Sequence, residues 1–423
     1  MRGRRWGFAP NGAGATSATR VPGAFAPWAD APWTGAPWAG APRAGALMAA
    51  LVACSACSAC SRASEASASA ASASAAALGA APDRGAVAAA RGDASGAPGD
   101  ASGAPAAAGD CGRGRRMTLR FYDVGEGLSA LVDLPDGRHV LVDTGDGARR
   151  AGCGGVCAAA DEHWMSRLRA DLGPAPIDLL WITHQHADHI GGAPEVLEAF
   201  RVAAYADNGR DADRPEVRRA HEAARRRGAA VRTIEPGHAE PPLPDGPGVR
   251  VAAVLPARWP PACARDPNEC SIGLRVDFCG SSALFTGDAE HEEEAELDPG
   301  GPVTLLQVAH HGSETSSTPA FLARVRPAYA VISAGRPGEG YNRGFCHPRA
   351  MVVARLTRVL SRAASGPVPA GRALDAFDGE RCDRALPSDW KAVPASDRLW
   401  ATSRDGDVVL TTTGDGRFVR EPP

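Results

Sequence analysis

The apolar run Ile177-Asp178-Leu179-Leu180-Trp181-Ile182 ends in Thr183-His184-Gln185-His186-Ala187-Asp188-His189, and this junction constrains the chain more than any other stretch. A short apolar, β-branched run reads as a buried strand, so the polar cluster falls on the loop at the strand's C-terminal end. Loops at strand ends are where a rigid scaffold presents chemistry. Neutral imidazole and carboxylate suit zinc and its neighbours as ligands. Asp188 cannot reach the ion held by His184 and His186 without strain, so the spacing points to two adjacent metal ions.

The same pattern recurs along the chain. Asp143 ends Val140-Leu141-Val142, Asp288 ends Ala283-Leu284-Phe285-Thr286-Gly287, and His310 and His311 end Leu305-Leu306-Gln307-Val308-Ala309. His347 lies one loop after the strand-like Tyr329–Ser333. An Asp before Gly is by itself an ordinary turn residue. Five polar clusters at successive strand ends, however, would converge on one rim of a sheet sandwich. Strands are also expected at Met117–Val124, Ser129–Leu134, His139–Val142, Val202–Ala206, Val231–Ile234, Val249–Leu255 and Ile272–Cys279. Leu399–Ser403 and Val408–Thr413 read as a closing hairpin around Asp405-Gly406. Helices are expected at Asp161–Leu172, Ala193–Phe200, Pro215–Arg227, Pro319–Val325 and Pro348–Ser361. Interleaved strands and helices in two similar halves indicate an α/β fold of sheets flanked by helices.

Composition divides the chain. Up to about Gly114 it is almost wholly Ala, Gly, Ser, Pro and Arg, which cannot offset the entropy of ordering. Within this part, Arg43 precedes the short apolar run Ala44–Ala53, and Leu51-Val52-Ala53-Cys54 resembles a bacterial lipobox. We therefore expect an export or lipoprotein signal region over 1–53, with Cys54 as the acylated residue, a disordered linker over 54–114, and a hydrolase domain over 115–423. The apolar run is too short to span a bilayer, and no run of about 20 apolar residues makes the chain a channel. Beyond the Cys54 cluster lie eight cysteines, an even number that an oxidising compartment would exploit; Cys153–Cys157 and Cys263–Cys270 are close enough for local bridges. The net charge of −3 argues for no polyanionic partner. The arginines of Pro215–Arg227 read as a solvated helix face partnered by Glu216 and Glu222.

His184-x-His186-x-Asp188-His189 together with Thr286-Gly287-Asp288 resembles the metallo-β-lactamase superfamily. Phe121 through Gly127, Leu141 through Gly145, His189 through Gly192, His310 through Ser313 and Asn342 through Pro348 are similar to the hydrolase domain of the competence protein ComEC in its free-standing form. The resemblance implies a four-layer αββα sandwich with a two-metal site at one edge. It implies that His184 and His186 hold the first metal and Asp188 and His189 the second. Asp288 would bridge both, and His310 would complete the second site. Asp143 would orient a ligating histidine from behind. The superfamily commonly supplies a third histidine to the first metal; in the corresponding interval here stand His221 and His238, with Asp207, Asn208, Cys263 and Asn268 as other candidates.

The expected function is an exported hydrolase that uses a metal-activated hydroxide, with two divalent ions, zinc first and manganese second. Asp188 would orient the nucleophile, while His311, Ser313 and His347 would donate hydrogen bonds to developing charge. By resemblance the bond is a phosphodiester, with nucleic acid as one partner to test and membrane attachment only through Cys54. An amide, lactone or thioester hydrolase on the same fold is one alternative. A non-catalytic, envelope-binding lipoprotein is the other.

Overall fold

The computed structural model describes residues 111, 114–147, 154–238, 240–362 and 372–423, all within the unit Pro98–Pro423. The expected signal region, Cys54, nearly all of the linker, and Cys153 lie outside the described residues. Among the described residues sixteen strands run in chain order: β1 Met117–Phe121, β2 Ala130–Asp133, β3 His139–Val142, β4 Ile177–Trp181, β5 Val202–Asp207, β6 Ala230–Thr233, β7 Val249–Val254 and β8 Gly273–Phe278, then β9 Ser281–Phe285, β10 Leu305–Gln307, β11 Tyr329–Ile332, β12 Ala373–Phe377, β13 Trp390–Pro394, β14 Leu399–Ala401, β15 Val408–Thr412 and β16 Val419–Glu421. One sheet has the order β16-β15-β1-β2-β3-β4-β5-β6 and the second the order β14-β11-β10-β9-β8-β7; β12 and β13 pair with each other.

Alternation along the strands builds three apolar layers. Leu179 and Trp181 of β4 face the centre of the sandwich, where they join Leu119 and Phe121 of β1 and Phe285 of β9. Leu180 and Ile182 point the other way, onto the helices Gly155–Leu172, Ala193–Ala199 and Pro215–Arg227. In the second sheet Leu305 and Val331 face the centre. Leu306, Ala330 and Ile332 face the helices Pro319–Val325 and Ala350–Arg362. A period of two in the strands thus feeds two opposite faces, and each sheet is buried on both sides. The result is the αββα layering that the resemblance implies.

Each sheet has an antiparallel part and a parallel part: β3, β4, β5 and β6 run parallel, as do β9, β10, β11 and β14. Parallel neighbours bring their C-terminal ends to one rim, which is where the polar clusters follow. Three expectations need correction. Leu399–Ser403 and Val408–Thr413 do not form a hairpin: β14 pairs with β11 and β15 with β1, because the short helix Thr402–Asp405 carries the chain from one sheet to the other. The first helix begins at Gly155, ahead of the expected Asp161. The last long helix begins at Ala350, two residues after Pro348. After this helix, β12 and β13 form their own antiparallel ribbon packed against it.

Disulfides join Cys111 to Cys279, Cys263 to Cys270 and Cys346 to Cys382. The expected local bridge at Cys263–Cys270 is present. Cys157 is also disulfide-bonded. Among the described residues no helix is long and apolar enough to cross a membrane.

Candidate metal centre

Four strand ends deliver the site. Asp143 follows β3, Thr183 and His184 follow β4, Asp288 follows β9, and His310 and His311 follow β10. After β4 the chain turns into the one-turn helix Ala187–Ile190, which carries Asp188 and His189 back over the rim. The two sheets approach closely here. Gly287 has φ +54, and a Cβ on it would lie 2.6 Å from the Cβ and Oγ1 of Thr183, so only glycine lets the β9 end meet the β4 end. His310 and His311 both occupy the left-handed region, with φ of 49 and 52. Such backbone is uncommon for residues with a Cβ and concentrates at functional sites.

His189 Nε2 stands 3.2 Å from His311 Nε2 and 3.1 Å from Asp288 Oδ2. His311 Nε2 is 3.4 Å from Asp188 Oδ2 and 3.4 Å from Asp288 Oδ2. One ligand atom from each of Asp188, His189, Asp288 and His311 lies within 4.8 Å of all the others. Beside this group, His184 Nε2 is 3.1 Å from His186 Nδ1 and 3.9 Å from Asp288 Oδ2. Asp288 therefore lies between the two histidine sets. Its Oδ1 is buried and has no hydrogen-bond partner among the described residues. A buried carboxylate oxygen without a donor is costly unless a cation takes it. The donor set, the convergence and this orphaned oxygen all fit a divalent metal.

A second ring of contacts aims the imidazoles. His189 donates from Nδ1 to Asp143 Oδ2 at 2.7 Å, and Asp143 is itself held by the backbone N–H and hydroxyl of Thr183, both at 2.8 Å. His311 donates from Nδ1 to the Ser333 carbonyl at 2.7 Å. Both rings thereby turn Nε2 inward, which is how carboxylates and carbonyls behind metal ligands fix tautomer and orientation. Electrostatics follow from the crowding. Burial alone would lower the His189 imidazole, but the Asp288 and Asp143 carboxylates override it and push it up to about 10. His311 is likewise raised by Asp288 and Asp188 against burial. Burial would raise Asp288, yet His189, His311 and His310 hold it well below the carboxylate range. Burial and neighbouring His189 keep His184 well below the usual imidazole value, so its ring is neutral.

Of the expected ligands, the structure brings His184, His186, Asp188, His189 and Asp288 together. It places the neighbours His310 and His311 differently. His310 does not join the four-donor group: its Nε2 is 3.9 Å from Asp288 Oδ2, and its Nδ1 pairs with Glu290 at 3.0 Å. His311, expected to stabilise charge, is the neighbour whose ring joins Asp188, His189 and Asp288 in the four-donor group. The cause is the left-handed pair, which sends adjacent side chains in different directions. Ser313 Oγ bonds Thr315 Oγ1 at 3.0 Å, so its hydroxyl is engaged within its own turn. The ring of His347 stands 5.3 Å from that of His310 and 6.1 Å from that of His311.

Most candidates for a third ligand to the first ion are occupied elsewhere, but the side-chain Oδ1 of Asn268 is buried and has no hydrogen-bond partner among the described residues. His221 is bound to Asp207 at 2.6 Å, the Asn208 amide donates to the Cys270 carbonyl, and Cys263 is in a disulfide. Asn268 donates to Glu290 at 3.4 Å, and His238 sits in a half-exposed turn. Sequence reasoning assigned no role to Glu126 or Glu290. Glu126 stands inside the Phe121–Gly127 motif, whose flanking glycines were the available signal. Glu290 has no signal beyond its place two residues after Asp288. The arginine-bearing helix behaves as a solvated face: Arg219 pairs with Glu216 at 3.5 Å and Arg226 with Glu198 at 2.6 Å.

The profile of the Metallo-beta-lactamase superfamily matches residues 122–336. ComE operon protein 3 of Bacillus subtilis is 28% identical over 253 residues, 56% of this chain and 30% of that protein. Recombination protein 2 of Haemophilus influenzae is 30% identical over 227 residues, 51% of this chain and 24% of its own length. Competence protein ComA of Neisseria gonorrhoeae is 31% identical over 239 residues, covering 56% of this chain and 29% of that protein. The aligned region thus spans less than a third of each of these longer relatives. Among solved structures, CmlA, a diiron beta-hydroxylase from Streptomyces venezuelae, aligns over 60% of this chain and 52% of its own, with a TM-score of 0.36 and 16% identity. The match to the superfamily covers the β3, β4, β9 and β10 ends from which the site is built, and the chain belongs to the metallo-beta-lactamase superfamily, a fold of metal-dependent hydrolases, with relatives among the ComEC-type competence proteins.

Proposed function

We propose that this chain is an exported metal-dependent hydrolase that cleaves phosphodiesters, with nucleic acid as the substrate class. The observation that carries the reading is the convergence of Asp188, His189, Asp288 and His311 within 4.8 Å, next to His184 and His186. Asp188, His189 and His311 would hold one divalent ion, His184 and His186 the other, and Asp288 would reach both. When bound, such ions supply Lewis acidity and a nucleophile available at neutral pH. Zinc suits the imidazole-rich donor set, and manganese is the second choice.

The protein's own groups do the rest. Asp143 and the Ser333 carbonyl keep His189 and His311 facing inward. Asp188 is the more accessible of the two carboxylates, in position to orient a water. His347 lies beside the centre for contact with the substrate. A cleft of about 760 Å³ is lined by Glu126, His163, Arg167, Arg336 and Tyr341, and none of the candidate ligands is among its lining residues. The names of the competence and recombination relatives favour nucleic acid over an amide or lactone. Disulfides linking Cys111 to Cys279 and Cys346 to Cys382 favour an oxidising compartment, hence export, with a lipid anchor at Cys54 as its simplest form.

The test is a substrate panel on the full chain loaded with zinc or manganese: bis(p-nitrophenyl) phosphate and single-stranded oligonucleotide against ester, lactone and amide probes. Phosphodiester turnover that vanishes in Asp188→Ala and His189→Ala supports the reading. Turnover confined to the ester, lactone or amide probes would replace the bond. A folded protein that takes up no metal would leave only a binding role.

A further inference from the structure

Glu126 lies behind His347 in a closed frame of hydrogen bonds. Its Oε1 accepts the Nδ1–H of His347 at 2.8 Å, and its Oε2 accepts the Gly335 N–H at 2.8 Å. Asn342 closes the frame: its Oδ1 accepts the His347 backbone N–H at 2.7 Å, and its Nδ2 donates to the carbonyls of His347 and Gly335 at 2.6 and 2.7 Å. Glu126, Asn342 and His347 are all buried. A Cβ on Gly335 would lie 2.9 Å from the Glu126 backbone nitrogen, so the frame leaves no room to slide. Next to His347, Cys346 is tied by its disulfide to Cys382.

The chemistry of the frame decides the state of the ring. A carboxylate that already accepts the Gly335 N–H on one oxygen has only acceptor capacity left for the other. The ring nitrogen facing it must therefore carry the proton. In a neutral imidazole the remaining nitrogen, Nε2, then bears a lone pair. That is the atom left to meet a substrate or water beside His310 and His311. We propose that Glu126 is a positioning residue that locks His347 as the Nδ1–H tautomer, so that His347 meets the reacting groups as a hydrogen-bond acceptor and not as the donor expected from the sequence. This rests on the reading of the neighbouring centre as hydrolytic. His347 would then hold an O–H of the attacking water or of the substrate, while the aspartates and other histidines hold the metals.

The test is a long-range proton–nitrogen NMR correlation on the zinc-loaded full chain, with the His347 signals assigned by their loss in His347→Asn. The expected result is a protonated Nδ1 and an unprotonated Nε2. Glu126→Gln keeps the shape but offers one acceptor and one donor. With Gly335 N–H claiming the amide oxygen, the NH2 faces the ring and drives the proton onto Nε2. The variant should show that inverted tautomer, bind zinc at the wild-type stoichiometry, and lose roughly 10- to 100-fold in kcat on bis(p-nitrophenyl) phosphate with KM nearly unchanged. A wild-type ring protonated on Nε2 overturns the proposal. So does a Glu126→Gln enzyme with wild-type kcat, or one that loses its zinc together with its activity, since either would make Glu126 a merely structural residue. The wild-type tautomer is read without turnover, so a failure of the hydrolytic reading is told apart from a failure of this one.

Discussion

Asp143→Asn is the sharpest perturbation of the centre, because it changes hydrogen bonding while keeping shape. Asp143 is fully buried; its Oδ1 accepts the Thr183 N–H at 2.8 Å, and its Oδ2 accepts the Thr183 hydroxyl at 2.8 Å and His189 Nδ1 at 2.7 Å. An asparagine can sit there in two ways. With its NH2 toward the Thr183 N–H, two buried donors oppose each other, at about 1–3 kcal/mol for the unsatisfied group. With its oxygen on that N–H, the NH2 faces Thr183 Oγ1, which can rotate to accept, and His189 Nδ1, which must then give up its proton. The second arrangement wins, and it moves the His189 proton to Nε2, the atom 3.1 Å from Asp288 and 3.2 Å from His311. That places a hydrogen where a metal needs a lone pair. Losing such an outer contact costs roughly 10- to 100-fold in metal affinity, or about 1.4–2.8 kcal/mol. The assay is zinc competition against a chromophoric chelator, with circular dichroism to confirm that the variant is folded. A folded Asp143→Asn protein that binds zinc as tightly as wild type would refute the reasoning.

Three further outcomes follow from the same geometry. In the metal-free protein, Asp288 and Asp143 raise His189 to about 10 against burial, and His311 is also raised, so at neutral pH a cation must displace their protons; zinc affinity should climb with pH at a slope between about one and two decades per unit below pH 8, and a flat titration would contradict this. His311→Ala should abolish binding at the four-donor group while His310→Ala keeps most of it, as measured by zinc content after dialysis; equal losses would return His310 to the ligand set. The Cys346–Cys382 bridge closes a separation of 36 residues, worth up to roughly 4 kcal/mol by loop entropy, so Cys382→Ser should lower the thermal midpoint by several degrees, and an unchanged midpoint would count against a stabilising bridge.

The strands that build both sheets were legible because their runs are short, branched and apolar, as in Val140–Val142 and Leu305–Val308. The ligating types were legible because they directly follow those runs. What sequence could not supply is which partner a strand chooses. Leu399–Ala401 and Val408–Thr412 look like a hairpin by spacing, yet the intervening Thr402–Asp405 turn sends them to different sheets. His310 and His311 are chemically identical neighbours, and only two left-handed backbone conformations decide which one joins the four-donor group. Glu126 reaches His347 across 221 positions, and Cys111 reaches Cys279 across 168, separations for which no local pattern exists. The bridge of Cys263 to Cys270 spans 7, and there local reasoning sufficed.

The most direct measurement is an anomalous-scattering map at the zinc edge from crystals of the zinc-loaded full chain. The account predicts a peak enclosed by His189 Nε2, His311 Nε2 and the carboxylates of Asp188 and Asp288, with a second beside His184 and His186. A map with no peak among those four side chains, or with its only peak elsewhere on the protein, would contradict it.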